Sequence, residues 1–194
     1  MKIAFFGDSL TEGFPGVSSY GILKKELPGH KLYNYGKGGD TVFSLLKRLR
    51  QTRLKAIYDL SFVWIGVNDV LAEVSWTFKI IKKLRRQPWT SDTDLFEARY
   101  LQLLKIVKKR SQRTVTVSPL FIGEDLTSGW NLLLKKRANI IKGLSDSMPN
   151  VHFIDLQDVF RERLEGIKVR PYVPRSVLSI FRDLVRSIRG NKKD

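Results

Sequence analysis

Three short stretches of the chain combine residue types that can carry acyl-transfer chemistry. Gly7-Asp8-Ser9-Leu10 sets a hydroxyl directly after an apolar run, and Gly36-Lys37-Gly38-Gly39-Asp40-Thr41 is dense in glycine. Gly66-Val67-Asn68-Asp69 sets a side-chain amide after another apolar run. Acyl transfer needs a nucleophile, a base to take its proton, and N–H donors where an oxyanion develops. Ser9 is the candidate nucleophile. The backbone amides of Ser9 and Gly39 and the side-chain amide of Asn68 are candidate oxyanion donors, and Gly39 suits that role because no Cβ blocks the approach. The same residue types also serve a plainer purpose, since Asp8, Ser9 or Thr11 can cap a helix by accepting from its orphan amides.

For these loops to meet, the elements before them must deliver them to one edge. Ile3 to Phe6 reads as a buried strand, because consecutive apolar residues bounded by Gly suit a strand covered on both faces. Further strands are expected at Lys31–Asn34, Leu60–Ile65, Thr114–Pro119 and Val151–Leu156. Helices are expected between them, at Tyr20–Leu27, after Thr41, at Asp94–Arg110, at Asn131–Met148 and at Val159–Leu164. The segment from Leu71 to Ser91 is less regular, with Trp76, Phe78, Ile80, Ile81 and Leu84 among five basic residues. It reads as a core helix with a solvated side, although a helix on a membrane surface or over an active site has the same composition. Strands alternating with helices predict an α/β protein, a three-layer α/β/α sandwich with a five-stranded, mainly parallel sheet. In such sheets ligands gather outside the carboxyl ends of the strands, which is where all three loops fall.

Length and composition narrow the class. With 194 residues the chain is long enough for one domain with a sizeable core. No apolar run approaches the roughly 20 residues that cross a bilayer, and Gly7-Asp8 interrupts the N-terminal run too early for a signal-peptide core. The default expectation is a cytoplasmic address. Without cysteine, disulfides and thiolate metal sites are excluded. Neither a cofactor nor a metal is expected.

Thirty-five Lys and Arg against 19 Asp and Glu give a formal charge of +16, which favours contact with polyanions. The basic residues follow the polar sides of the expected helices, so a solvated basic surface is the first reading. Nucleic acid ranks last as a partner, because no recognised motif or stacking platform accompanies the charge. From Val177 to Ile188 the apolar residues Val177, Phe181, Leu184, Val185 and Ile188 mark an amphipathic helix studded with arginine. The expected organisation is therefore a domain over 1–165 and a basic C-terminal extension over 166–194 packed on it.

The three stretches, in this order and each at the end of an expected strand, resemble the first three sequence blocks of the SGNH hydrolases, or GDSL esterases and lipases. The resemblance implies a flavodoxin-like α/β/α sandwich and hydrolysis of carboxylic esters. Carried over by position, it makes Ser9 nucleophile and oxyanion donor, with Gly39 and Asn68 the other donors. The family's remaining block, an Asp-x-x-His near the C-terminus, has no counterpart here. His30 lies at the entrance to the second strand and His152 at the start of the fifth, at the far edge from Ser9. Arg170-Pro171-Tyr172-Val173 can stand in that block's place with Arg and Val for Asp and His. Alternatively, Tyr172-Val173-Pro174-Arg175-Ser176 resembles the stretch before it, which is the preferred expectation and has the sequence stop short of the block. The expected function is an ester hydrolase impaired for want of a base. The rival is a non-catalytic scaffold that holds an anionic lipid or carbohydrate on its basic surface.

Overall fold

The computed structural model describes residues 1–14, 18–123 and 125–164. Strand β1 (Lys2–Gly7) leads into α1 (Ser9–Glu12) and α2 (Ser19–Glu26), and β2 (Lys31–Gly36) into α3 (Val42–Gln51). Strand β3 (Tyr58–Trp64) is followed by α4 (Val67–Val74), α5 (Trp76–Leu84) and α6 (Thr93–Lys108). The chain continues through β4 (Ser111–Val117), α7 (Gly129–Asp146), β5 (Val151–Ile154) and α8 (Leu156–Leu164). The sheet has the order β2-β1-β3-β4-β5, and every adjacent pair is parallel. This is the flavodoxin-like order, whose topological switch point lies between β1 and β3.

Alternation along the strands assigns the helices to faces. Ala4, Phe6 and Val63 join Leu45 and Leu49 of α3, Leu103 and Leu104 of α6 and Ile141 of α7 in one buried cluster. On the other face Phe5 stacks on Phe62 and meets Tyr20 of α2 edge-on, with ring centroids 5.2 and 5.9 Å apart. Sequence order and face assignment together bring the ends of β1, β2 and β3 to one edge. Among the described residues no helix is long and apolar enough to cross a membrane.

One segment departs from expectation. Leu71–Ser91 contains two helices, because Ser75 adopts an extended conformation that ends α4 and caps α5. The core-facing reading of α5 is also corrected. Trp76 is 75% exposed and Leu84 78%, Ile80 is exposed too, and the one fully buried residue of α5 is Lys82. At about 100° per residue, Trp76, Ile80 and Leu84 share an arc opposite Phe78, Ile81 and Lys82. The helix is rotated to bring its lysine inward. The expected extension over 166–194, and with it Arg170–Ser176, lies outside the described residues.

Candidate active site

The convergence of the three loops depends on close backbone approach. A Cβ at Gly36 would lie 2.2 Å from the Glu12 backbone nitrogen, so α1 can rest on the end of β2 only over a glycine. Lys37 N–H donates to the Gly7 carbonyl at 3.1 Å, and the Asn34 side-chain amide donates to the Thr11 carbonyl at 2.9 Å. Gly38 N–H donates to the Glu12 carboxylate at 2.6 Å. Three hydrogen bonds therefore tie the Ser9 turn to the end of β2 and the glycine loop.

The glycine loop is itself a tight turn. Asp40 N–H donates to the Lys37 carbonyl at 3.0 Å, and Gly39 in the third position has φ +77°. This is the type II pattern, which demands glycine there. Among the described residues the Gly39 N–H has no protein acceptor, and neither does the Ser9 N–H. Behind the turn, Arg48 grips the Asp40 carboxylate at 3.0 and 2.8 Å and the Tyr35 carbonyl at 2.7 Å, fixing the start of α3.

Asp8 performs the capping that the sequence left open. Its Oδ1 accepts from Leu10 N–H at 3.0 Å as the N-cap of α1, which leaves the Ser9 hydroxyl with no partner among the described residues. Its Oδ2 accepts from the Asn68 side-chain amide at 3.2 Å. On its other side Asn68 Oδ1 accepts from Lys82 Nζ at 3.1 Å. A carboxylate on one end and an ammonium on the other permit only one orientation of this amide. The second N–H of Asn68 Nδ2 remains uncommitted among the described residues.

Lys82 also donates to the Gly39 carbonyl and to Gln87 Oε1, so one ammonium holds two of the three loops. It is only 2% exposed, and burial pulls its pKa down to about 8 against the opposing pull of Asp69 and Asp8. Asp8 is likewise buried, and desolvation raises its carboxyl to about 6 despite the Leu10 and Asn68 hydrogen bonds. Asp69 is raised to about 7 for the same reason, with its Oδ2 accepting from Val42 N–H at 3.0 Å and its Oδ1 unpartnered among the described residues. The cluster is a buried polar wall on which the candidate donors are mounted.

The structure brings the elements of Ser9, Gly39 and Asn68 to one place and leaves both histidines out of it. His30 precedes β2 and His152 begins β5, both at the amino ends of strands. Lys82 escaped the sequence reading because it is one of five cations between Lys79 and Arg86. Its signal was its spacing, four residues after Phe78 and one after Ile81, on the apolar side of the helical wheel.

Fold and site together define a flavodoxin-like α/β domain that carries a serine at the end of β1 and two donor-bearing loops at its switch point. The sequence matches the GDSL-like lipase/acylhydrolase family over residues 5–169, and the chain belongs to that family. Among solved structures, an acetyl xylan esterase, AlAXEase, is similar at 23% identity and a TM-score of 0.71, covering 98% of this chain and 99% of that one. The acetylxylan esterase Axe2 from Geobacillus stearothermophilus is similar at 21% identity and a TM-score of 0.67, over 96% of this chain and 93% of that one. A third, LAE5, an α/β hydrolase from the metagenome of Lake Arreo, is 17% identical with a TM-score of 0.67, over 85% and 81%. At these identities the likeness is one of fold. No curated protein matches the sequence.

Proposed function

We propose that this protein hydrolyses carboxylic esters, with Ser9 as nucleophile and three donors for the oxyanion: the Ser9 N–H, the Gly39 N–H and Asn68 Nδ2. The observation that carries this reading is the clamp on Asn68. Asp8 and Lys82 hold its amide from both ends, while Lys82 reaches the turn that carries the Gly39 N–H. Donors fixed before reaction need no reorganisation as charge develops, and each is worth about 10² to 10³ in turnover. Family membership supports the reaction class. So do the solved catalytic mutants of Axe2, in which a serine, an aspartate and a histidine are each replaced by alanine.

In the proposed mechanism Ser9 Oγ attacks the ester carbonyl and its proton passes to solvent water, while the carbonyl oxygen gathers negative charge facing the three donors. The carbonyl–alkoxy bond then breaks, with the leaving group taking a proton back from water. A second water adds to the acyl-serine to release the acid and restore the Ser9 hydroxyl. Among the described residues no histidine stands beside Ser9, so we place turnover well below that of a complete Ser-His-Asp enzyme. Loss of a triad member costs roughly 10⁴ to 10⁶, with about 10³ to 10⁴ over water retained by the oxyanion donors and binding. Hydrolysis of p-nitrophenyl acetate tests the reading. The wild type is expected to exceed Ser9→Ala; equal rates would leave only the non-catalytic scaffold.

A further inference from the structure

We infer that α5 and the basic cleft beside it form a docking surface for an anionic lipid bilayer. Three large apolar side chains, Trp76, Ile80 and Leu84, stand exposed at i, i+4 and i+8 on α5. Lys79 and Lys83 are exposed on the same helix. At about 100° per residue these five side chains fill one arc of about 140°. Between Val74 and Ser91 the chain holds five basic residues and not one acidic residue. An apolar ridge edged by lysine, with no carboxylate in its own segment, is the pattern of a helix that lies in the plane of a membrane interface.

The cleft supplies the second half of the surface. Just past the end of α5, Arg85 and Arg86 face Lys37 and Lys47 across a cavity of about 470 Å³ that reaches the Gly38 turn. Arg48 also lines it, but its charge is matched by Asp40 at 2.8 Å. The other four cations have no carboxylate within ion-pair distance among the described residues. Unmatched cations suit lipid phosphates, while the neighbouring ridge suits the boundary between headgroups and acyl chains. Charge alone would attract any polyanion; the exposed ridge favours a bilayer over a soluble polyanion, because Trp76 and Leu84 leave water at the boundary between headgroups and acyl chains.

This docking goes beyond ester hydrolysis and is measured without turnover. The experiment is co-sedimentation of the full chain with vesicles of phosphatidylcholine, with and without about one third phosphatidylglycerol, at low ionic strength. Tryptophan emission is read in parallel, with Trp76→Phe as the reference that isolates residue 76. The expected result is binding to the phosphatidylglycerol vesicles, at least tenfold weaker binding to phosphatidylcholine alone, and a blue shift that Trp76→Phe lacks. Trp76→Ser/Leu84→Ser, shown by circular dichroism to be folded, should lose at least tenfold in binding. Arg85→Glu/Arg86→Glu should lose a similar factor. Unchanged binding by the Trp76/Leu84 variant, with no blue shift, would overturn the proposal in favour of charge-only adhesion. Tighter retention on single-stranded DNA than on the vesicles would overturn it in favour of nucleic acid. Because Ser9→Ala should bind vesicles like wild type, a failed esterase assay leaves this test intact.

Discussion

Two sets of charged side chains lie around the loops of the candidate site, and they obey different physics. Lys82, Asp8 and Asp69 are buried almost completely, with every one of their pKa values displaced by desolvation. Lys37, Lys47, Arg85 and Arg86 line the neighbouring cleft and are exposed. Buried charges interact through a poor dielectric and are little screened by salt, whereas exposed charges are screened beyond about 8 to 10 Å at ordinary ionic strength. The buried set can therefore hold atoms in place, and the exposed set can only attract. In our proposals, pre-organisation of the site falls to the first and capture of a partner to the second.

The sharpest way to break this division is at the residue the buried set holds. Asn68→Ala is expected to lower kcat about 10² to 10³-fold, the cost of one oxyanion donor. If kcat is unchanged while KM rises, Asn68 binds substrate without serving the transition state. Lys82→Met keeps the volume and removes the charge that fixes Asn68 and the Gly39 carbonyl. We expect kcat to fall roughly 10 to 10²-fold with little change in KM, a loss smaller than that of a donor itself. Steady-state kinetics at two salt concentrations check this, and the deficit should be the same at both. A deficit that salt removes would move Lys82 into the exposed set.

Stability against pH separates the sets further. In the fold the Asp69 carboxyl titrates near 7, against an ordinary 3.8. Between those values the folded chain keeps a proton that the unfolded chain has lost, so the cost of this group grows as pH rises through the window. Asp69→Asn removes that cost. Relative to wild type, the variant should gain on the order of 4 kcal/mol between the two ends of the window. Urea midpoints across that range provide the check, and a difference that does not move with pH would mean Asp69 ionises normally. The smallest effect belongs to the cleft. Arg85→Glu/Arg86→Glu should change the KM of an anionic ester only a few-fold and lose even that at high salt, with kcat for a neutral ester unaffected.

Legibility in the sequence followed the same division. The strands were readable because their apolar runs stop at Gly7, Gly36 and Gly66 or in polar turns. The glycine and polar residues of the loops were readable because their types are costly anywhere but in a turn or at a ligand. Lys82 was not readable, since propensity treats a lysine in a basic helix as solvated and only tertiary contacts with Asn68 and Gly39 reward its burial. The exposure of Trp76 and Leu84 was hidden for the complementary reason: helical spacing gives a wheel but not its rotation, and here a buried ammonium sets the rotation. The capping and nucleophile readings of the first loop proved compatible, with Asp8 taking the cap.

The central claim is that Ser9 is a nucleophile held against preset donors, and covalent labelling tests it most directly. The protein would be incubated with a fluorophosphonate, whose phosphonyl oxygen occupies the oxyanion position once a serine attacks and fluoride leaves. Peptide mass spectrometry would then locate the adduct. The account predicts one adduct, on Ser9, formed at least tenfold more slowly in Asn68→Ala and absent in Ser9→Ala. No adduct, or one spread over other serines, would contradict it.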